Sequence, residues 1–496
     1  MQHLEGVAVR VGLVGAADGK ALSTVLGCLA GALPSSRDRP ALRRLLHATG
    51  AVTALPEGWL SCPVAEGAGI AVEVPELIVH NTDVLVAAGA LEGEAANTVA
   101  AALELGVPVL WVLPDGAVRL LTNRFWRVST FPVPEGDAVW PALRIWLAAG
   151  LSPPPGPPPK ALLAIEAGLR LPDRLMWRAH RTALQLLARD TRGAIAADPE
   201  QASWGALYGP ADALANAYAD RYRSSYTIVL TLAALALLAA VMGLRIEHHW
   251  PVASMEASCL AGILALVWAN TRLDWRSRLI QCRLLAELCR KQAALAYVGR
   301  SLPSARIAAL TREGGLDWIG WRFAAAVRAG PVPATALSGD ALAVARDRAA
   351  AVLLHGQRAY HEARVALGRQ REARLVRAGA AMFGLTVLFV AVKLGLLAAD
   401  LGEGAEQAGL VAALLPAVAA ALFGFRAYAE LELMVQQSEH LVAVLGEAEA
   451  SLGRIDPAAA GAARYIGDVF ERTAAEMLAD VAGWIQISRV KAVEAG

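Results

Sequence analysis

Four stretches of this chain are apolar for long enough to cross a bilayer, and they limit the rest of the fold more than any other feature. Residues 226–244 (YTIVLTLAALALLAAVMGL) hold no charge, and 252–270 carry Glu256 near their start. Residues 377–399 carry Lys393 near their end, and 407–425 hold Pro416 in the middle. At 1.5 Å of rise per residue, roughly 20 residues cover the ~30 Å of a hydrocarbon core. Backbone N–H and C=O groups there must be satisfied inside the segment, so each run is expected as one helix. The composition agrees: 56% of residues are hydrophobic and 18% charged, apolar beyond the soluble norm.

The arginines give a direction. Arg221 and Arg223 precede the first run, and Arg272, Arg276, Arg278 and Arg283 follow the second. Arg364, Arg369, Arg371, Arg374 and Arg377 lead into the third, and Arg426 closes the fourth. The short connections between paired runs hold only Arg245. This bias places both hairpin tips outside and the larger parts, with both termini, in the cytoplasm. Glu256 and Lys393 are ionisable groups within spans, where such groups often mark a conduction or transport path. Each also lies close enough to a helix end for its side chain to snorkel to the interface. Pro416 is expected to kink its helix, as a hinge or as a packing feature.

Residues 1–148 read differently. VAVRVGLVG (7–15) has a strand pattern, a helix pattern covers about 19–33, and ELIVH (76–80) and DVLVAAG (83–89) continue as strands. A helix over 94–105 and the strand VPVLWV (107–112) complete a βαβ unit. Alternation of this kind predicts a parallel sheet with helices on both faces. The run SPPPGPPPK (152–160) makes 149–160 a linker, because consecutive prolines favour extended chain. Beyond it the pattern is helical. The segmentation expected is a first two-span module over 161–300, a cytoplasmic helical region over 301–376, and a second two-span module with C-terminal helices over 377–496. A faint repeat runs through these parts: a Tyr/Arg-rich helix, two spans and a charged helix at about 215–300, and again at about 360–455. Within DWRSRLIQCRLLAELCRKQAALAYVG, Arg283, Glu287 and Lys291 can pair at i, i+4 spacing. The fold class expected is thus an α/β Rossmann-like cytoplasmic domain followed by an α-helical membrane bundle with four transmembrane helices and cytoplasmic helical regions.

Candidate ligand contacts follow from where phosphate binds in parallel sheets, beyond the carboxyl ends of strands and over helix N-termini. The turn after the first strand offers Gly12, Gly15, Asp18 and Gly19. Around the later strand, Asp83 opens it and Glu92, Gly93 and Thr98 follow it. Each has a plainer reading: tight turns for the glycines, helix-start charge for Glu92 and its neighbour Glu94. The five cysteines are dispersed without CxxC spacing, which argues against a disulfide framework or a metal site. A net charge of +1 without a basic block argues against nucleic acid as a partner.

On these residues the N-terminal segment resembles the SLOG-type Rossmann-like domains. The helix DWRSRLIQCRLLAELCRKQAALAYVG after a two-span hairpin is similar to the SLATT two-transmembrane effector modules found with them in bacterial conflict systems. The resemblance implies a nucleotide-derived ligand and membrane modules that form pores or perturb lipid, acting as a homo-oligomer in the bacterial inner membrane. The sequence departs from the family in two turns. Ala16 and Ala17 stand where the family often has His and Arg, and Ala96 and Asn97 replace two glycines beside Thr98. The family's phosphoribohydrolase signature is missing, so no catalysis is expected and no catalytic residue is assigned. The reading is a membrane sensor or effector governed by a nucleotide-fold domain. Its alternatives are a channel or transporter with Glu256 and Lys393 on its path, or a scaffold whose α/β domain binds protein.

Overall fold

The computed structural model describes residues 8–15, 19–33, 42–52, 54–65, 74–123, 134–168, 175–189, 202–243, 250–312, 316–330 and 337–490. Asp18 and Arg245 lie outside them. Six strands, β1 (Ala8–Val14), β2 (Leu42–Ala48), β3 (Trp59–Val64), β4 (Val84–Ala88), β5 (Val109–Val112) and β6 (Val118–Leu121), form one sheet in the order β3-β2-β1-β4-β5-β6. The first five are parallel and β6 runs antiparallel to β5. Near-continuous apolar runs such as VLVAA in β4 suit strands covered on both faces.

The pleat of β1 divides its residues between two cores. Val9, Val11 and Leu13 face helix α1 (Gly19–Ala32) and the helix Val139–Leu151. The opposite core joins Leu85, Ala87 and Val109 to helices α2 (Val74–His80) and α3 (Gly93–Glu104). Gly12 belongs to this second face: a Cβ there would come within 2.6 Å of Ile78 Cγ2 and 2.7 Å of Thr82 Cγ2. Its missing side chain lets α2 lie close to the sheet. The segment ELIVH, expected as strand, is therefore helix α2. Pro75 in its first turn sets a helical φ, and Leu77, Ile78 and Val79 are buried against the strands. β2 and β3 were not expected, because Arg43, Arg44 and Pro63 interrupt their apolar pattern.

Among the described residues, four helices are long and apolar enough to cross a membrane. Two of the expected spans are the far halves of longer rods: Ala202–Gly243 contains span one and Gly356–Ala398 contains span three. Trp250–Leu273 is span two, and Gly402–Ala429 is span four and runs through Pro416. Span one packs on spans two and four, and span four packs on span three. Burial follows that order. It covers 17% and 11% of the most apolar windows of spans one and four, but 6% and 0% of those of two and three. Leu264, Phe383 and Leu394 accordingly point outward.

The faint repeat has a clear structural counterpart. Each rod of 42 or 43 residues is followed by a span, one residue in left-handed conformation, and a helix of 23 or 22 residues (Trp275–Tyr297, Leu431–Leu452). The elbow residues are Asp274 (φ 47) and Glu430 (φ 50). Left-handed backbone costs a non-glycine residue about 1–2 kcal/mol. At Asp274 the carboxylate answers part of this by accepting a hydrogen bond from the Ser277 backbone N–H at 3.4 Å.

The Trp275–Tyr297 helix is the axis of the helical body and buries charge as well as leucine. Arg283, Glu287 and Lys291 pair as their spacing predicts, with Arg283–Glu287 at 2.8 Å and Arg290 on the same carboxylate at 2.7 Å. Burial works to raise the Glu287 carboxyl, but Lys291, Arg283 and Arg290 outweigh it and hold it well below the usual carboxylate range. Its stabilising contribution is thus fully present at neutral pH and is lost only as pH falls through that depressed value. Glu287→Gln should destabilise the chain by about 3–5 kcal/mol by leaving a buried ammonium without its counter-charge. Thermal melts of detergent-purified protein should show this loss at pH 5.5 as well as at pH 7, with Glu287→Leu/Lys291→Met recovering most of it.

Candidate functional site

The strand order makes one place on the sheet available to a ligand. β1 and β4 are neighbours whose chains leave in opposite directions, and the crevice beyond their carboxyl ends is the topological switch point. Gly15 ends β1 with φ +88, and a Cβ there would collide with the Ala88 carbonyl oxygen. Gly89 (φ +89) ends β4 and Gly93 (φ +52) opens α3. Glu92 precedes α3 in extended conformation and makes no side-chain capping bond, so its carboxylate leaves the first-turn N–H groups uncapped.

Of the sequence candidates, Gly15, Glu92 and Gly93 meet at this crest, with Gly19 across from them as the exposed first residue of α1. Gly12 lies inside the strand, serving the packing of α2. Thr98 faces the core and donates its hydroxyl to the Glu94 carbonyl at 2.8 Å, one turn beyond the helix start. Asp83 lies at the opposite end of the sheet, because a residue that opens a parallel strand sits a full strand length from the carboxyl edge. There its Oδ2 accepts from the Arg10 backbone N–H at 3.0 Å, and Arg328 stands 3.6 Å from Oδ1. One crest residue was missed by the sequence reading: the Trp111 indole N–H donates to the Gly89 carbonyl at 2.9 Å and braces the β4 turn, with Arg119 over its ring. The lone Trp in VPVLWV was the signal.

The membrane candidates do not converge. Glu256 is half-buried on span two. Lys393 is exposed on span three and lies over Gly409 of span four, 3.3 Å from where a Cβ would sit. Spans two and three share no substantial packing. Among the described residues no group of His, Cys, Asp and Glu has the arrangement of a metal site.

The base of the sheet is where the two halves of the chain are joined. Arg10 is buried in β1 and turns its guanidinium toward the end of the helix Asp317–Ala329. It donates to the carbonyls of Val327 (2.6 Å), Gly330 (2.9 Å) and Arg328 (3.1 Å). A helix C-terminus leaves its last carbonyls short of intrahelical donors, although that of Val327 also accepts from the Gly330 N–H at 3.2 Å, and a cation there favours the dipole. Desolvation pushes the Arg10 pKa down to about 10, offset in part by Asp83, so it is charged at neutral pH. Arg44 of β2 adds a bond to the Gly330 carbonyl at 2.8 Å.

A second join lies beside it. The Trp275–Tyr297 helix leads into residues 299–301, which meet the end of α2. The Asn81 amide donates to the Gly299 carbonyl at 2.8 Å and accepts from Ser301 Oγ at 3.0 Å. Arg300, buried, pairs with Glu76 at 2.9 Å and contacts His80, which in turn pairs with Glu471 at 2.9 Å. Gln292 fixes the connecting turn from inside, accepting from the Leu302 N–H at 2.9 Å. No protein family, curated protein or solved structure matches the chain.

Arg10→Met keeps the apolar stem and removes every donor. It should cost about 3–5 kcal/mol, the range for breaking a buried charged network. Arg44→Met removes one bond and should cost about 1 kcal/mol. Melting temperatures of the two variants side by side check the order.

Proposed function

We propose that this chain is a membrane-embedded sensor and effector, in which the α/β domain receives a signal at its crest and passes it through its base to the membrane helices. The observation that supports this most is the continuity of one mechanical route. Span two ends at the Asp274 elbow, the Trp275–Tyr297 helix carries on from it, and residues 299–301 are bonded to α2. The chain then passes from Asn81 through Asp83 into β4, whose far end is the crest. A change at Gly89–Gly93 acts on a strand that is tied at its other end to the helix following a span.

The proposed signal is a nucleotide or nucleotide-derived molecule, as the SLOG-like resemblance and the Rossmann strand order suggest. In this reading the sheet and the helical body lie in the cytoplasm of a bacterial cell and the hairpin tips outside, in keeping with the arginine bias. Spans two and three turn most of their surface outward, which suits lipid contact and leaves flanks for further copies of the chain.

Reconstitution into dye-loaded vesicles tests the coupling. NAD, ADP-ribose, ATP and cyclic dinucleotides are added in turn. One of them should release dye from vesicles holding the wild type. Arg300→Ala, which cuts the route while leaving crest and spans intact, should lower that release about tenfold or more with nucleotide binding retained. Release that is equal with and without every nucleotide, or unchanged in Arg300→Ala, sinks the proposal.

A further inference from the structure

Between the base of the sheet and the helical body lies a crevice beside the coupling route, sharing Asn81, Asp83 and Ser301 with it. It is lined by Arg10, Asn81, Asp83, Ser301 and Arg328 on its polar side, with apolar walls that include Val107, Ile307 and Ala324. Its internal volume is about 60 Å³, far below the ~300–1,000 Å³ of a site for a whole nucleotide.

Arg328 is the group that sets its chemistry. The residue is 6% exposed. Its Nε has no hydrogen-bond partner, and its ion pair among the described residues, with Asp83 Oδ1 at 3.6 Å, is too long for a hydrogen bond. A buried guanidinium with five donors is expected to have most of them satisfied. Asp83 does not serve this Nε: its Oδ1 faces Arg328 Nη1 and its Oδ2 is held by the β1 backbone.

We infer that this crevice is a binding site for a small oxyanion of the phosphate class, held by the Arg328 fork. A tetrahedral oxyanion offers the planar pair of acceptors that a guanidinium takes in two parallel bonds. It fits a space too small for a nucleoside. The anion joins the end of the helix Asp317–Ala329 to the strand base, so its occupancy tightens the docking of sheet on helical body. The site stands on the opposite edge from the crest and does not depend on what the crest binds.

The test is a thermal-melt titration of the full-length, detergent-purified protein with inorganic phosphate against chloride at constant ionic strength. The wild type should show a saturable rise in melting temperature, as for any ligand that binds only the native state. Arg328→Met should weaken apparent affinity at least about tenfold, the range for a hydrogen bond to a charged group. Ala324→Leu fills the crevice without touching a charge; it should abolish the response while melting no lower than wild type in chloride. 5′-AMP run in parallel separates the sources: a response to phosphate assigns the free ion, and a response to 5′-AMP alone assigns the phosphoryl end of a larger molecule. A wild type that does not respond to either, or an equal response in Ala324→Leu, overturns the site. A nucleotide shift lost in Gly15→Asp and kept in Arg328→Met belongs to the crest instead.

Discussion

A guanidinium buried in the central strand of a parallel sheet is tolerated only where its donors and its charge are both answered. Arg10 has such a place because the last carbonyls of the helix Asp317–Ala329 converge on it. The last turn of a helix runs short of intrahelical donors, so one contact eases two burial problems. The arrangement of the molecule follows from it. The base of the sheet is held against the helical body, β1 and β4 point their carboxyl ends away from it, and α2 is brought beside residues 299–301.

The helical body answers the same constraint with different residues. Glu287 draws Lys291, Arg283 and Arg290 around itself on the Trp275–Tyr297 helix, and Arg290 also reaches the Tyr208 hydroxyl at 2.8 Å on the rod that becomes span one. The charged network thereby ties the helix leaving span two to the rod entering span one. The second half of the chain repeats the rod, span, elbow and helix, and its Leu431–Leu452 helix packs back on its own rod. Arg358–Glu449 at 2.5 Å fastens that pair closer to the surface. One half holds its return helix with a buried network, the other with apolar contacts and a more exposed ion pair.

Legibility in the sequence varied with the length of each signal. The spans, α1, α3, β4 and β5 were readable because their apolar patterns are long, and β1 because a single arginine interrupts its run. β2 and β3 were not, because their strands carry arginines and a proline whose tolerance depends on neighbours. ELIVH misled because β-branched residues suit both a strand and the buried face of a short helix. At the crest, Gly15 and Gly93 stand in turns at positive φ, as glycines after a strand suggest. Trp111 and the base residues Arg10, Asn81 and Arg300 were not legible, since their partners lie tens to hundreds of positions away.

By itself the sequence determined that the chain has a Rossmann-like α/β sheet and four helices fit for a membrane. Hydrophobic periodicity and uninterrupted apolar length are local properties and need no partner to be read. Only the tertiary structure decided which edge of the sheet is anchored, that Asp83 belongs to that edge, and that spans one and four stand in the middle. Those outcomes rest on whether a buried donor or charge finds its counterpart, and for Arg10 the counterpart lies more than 300 residues along the chain.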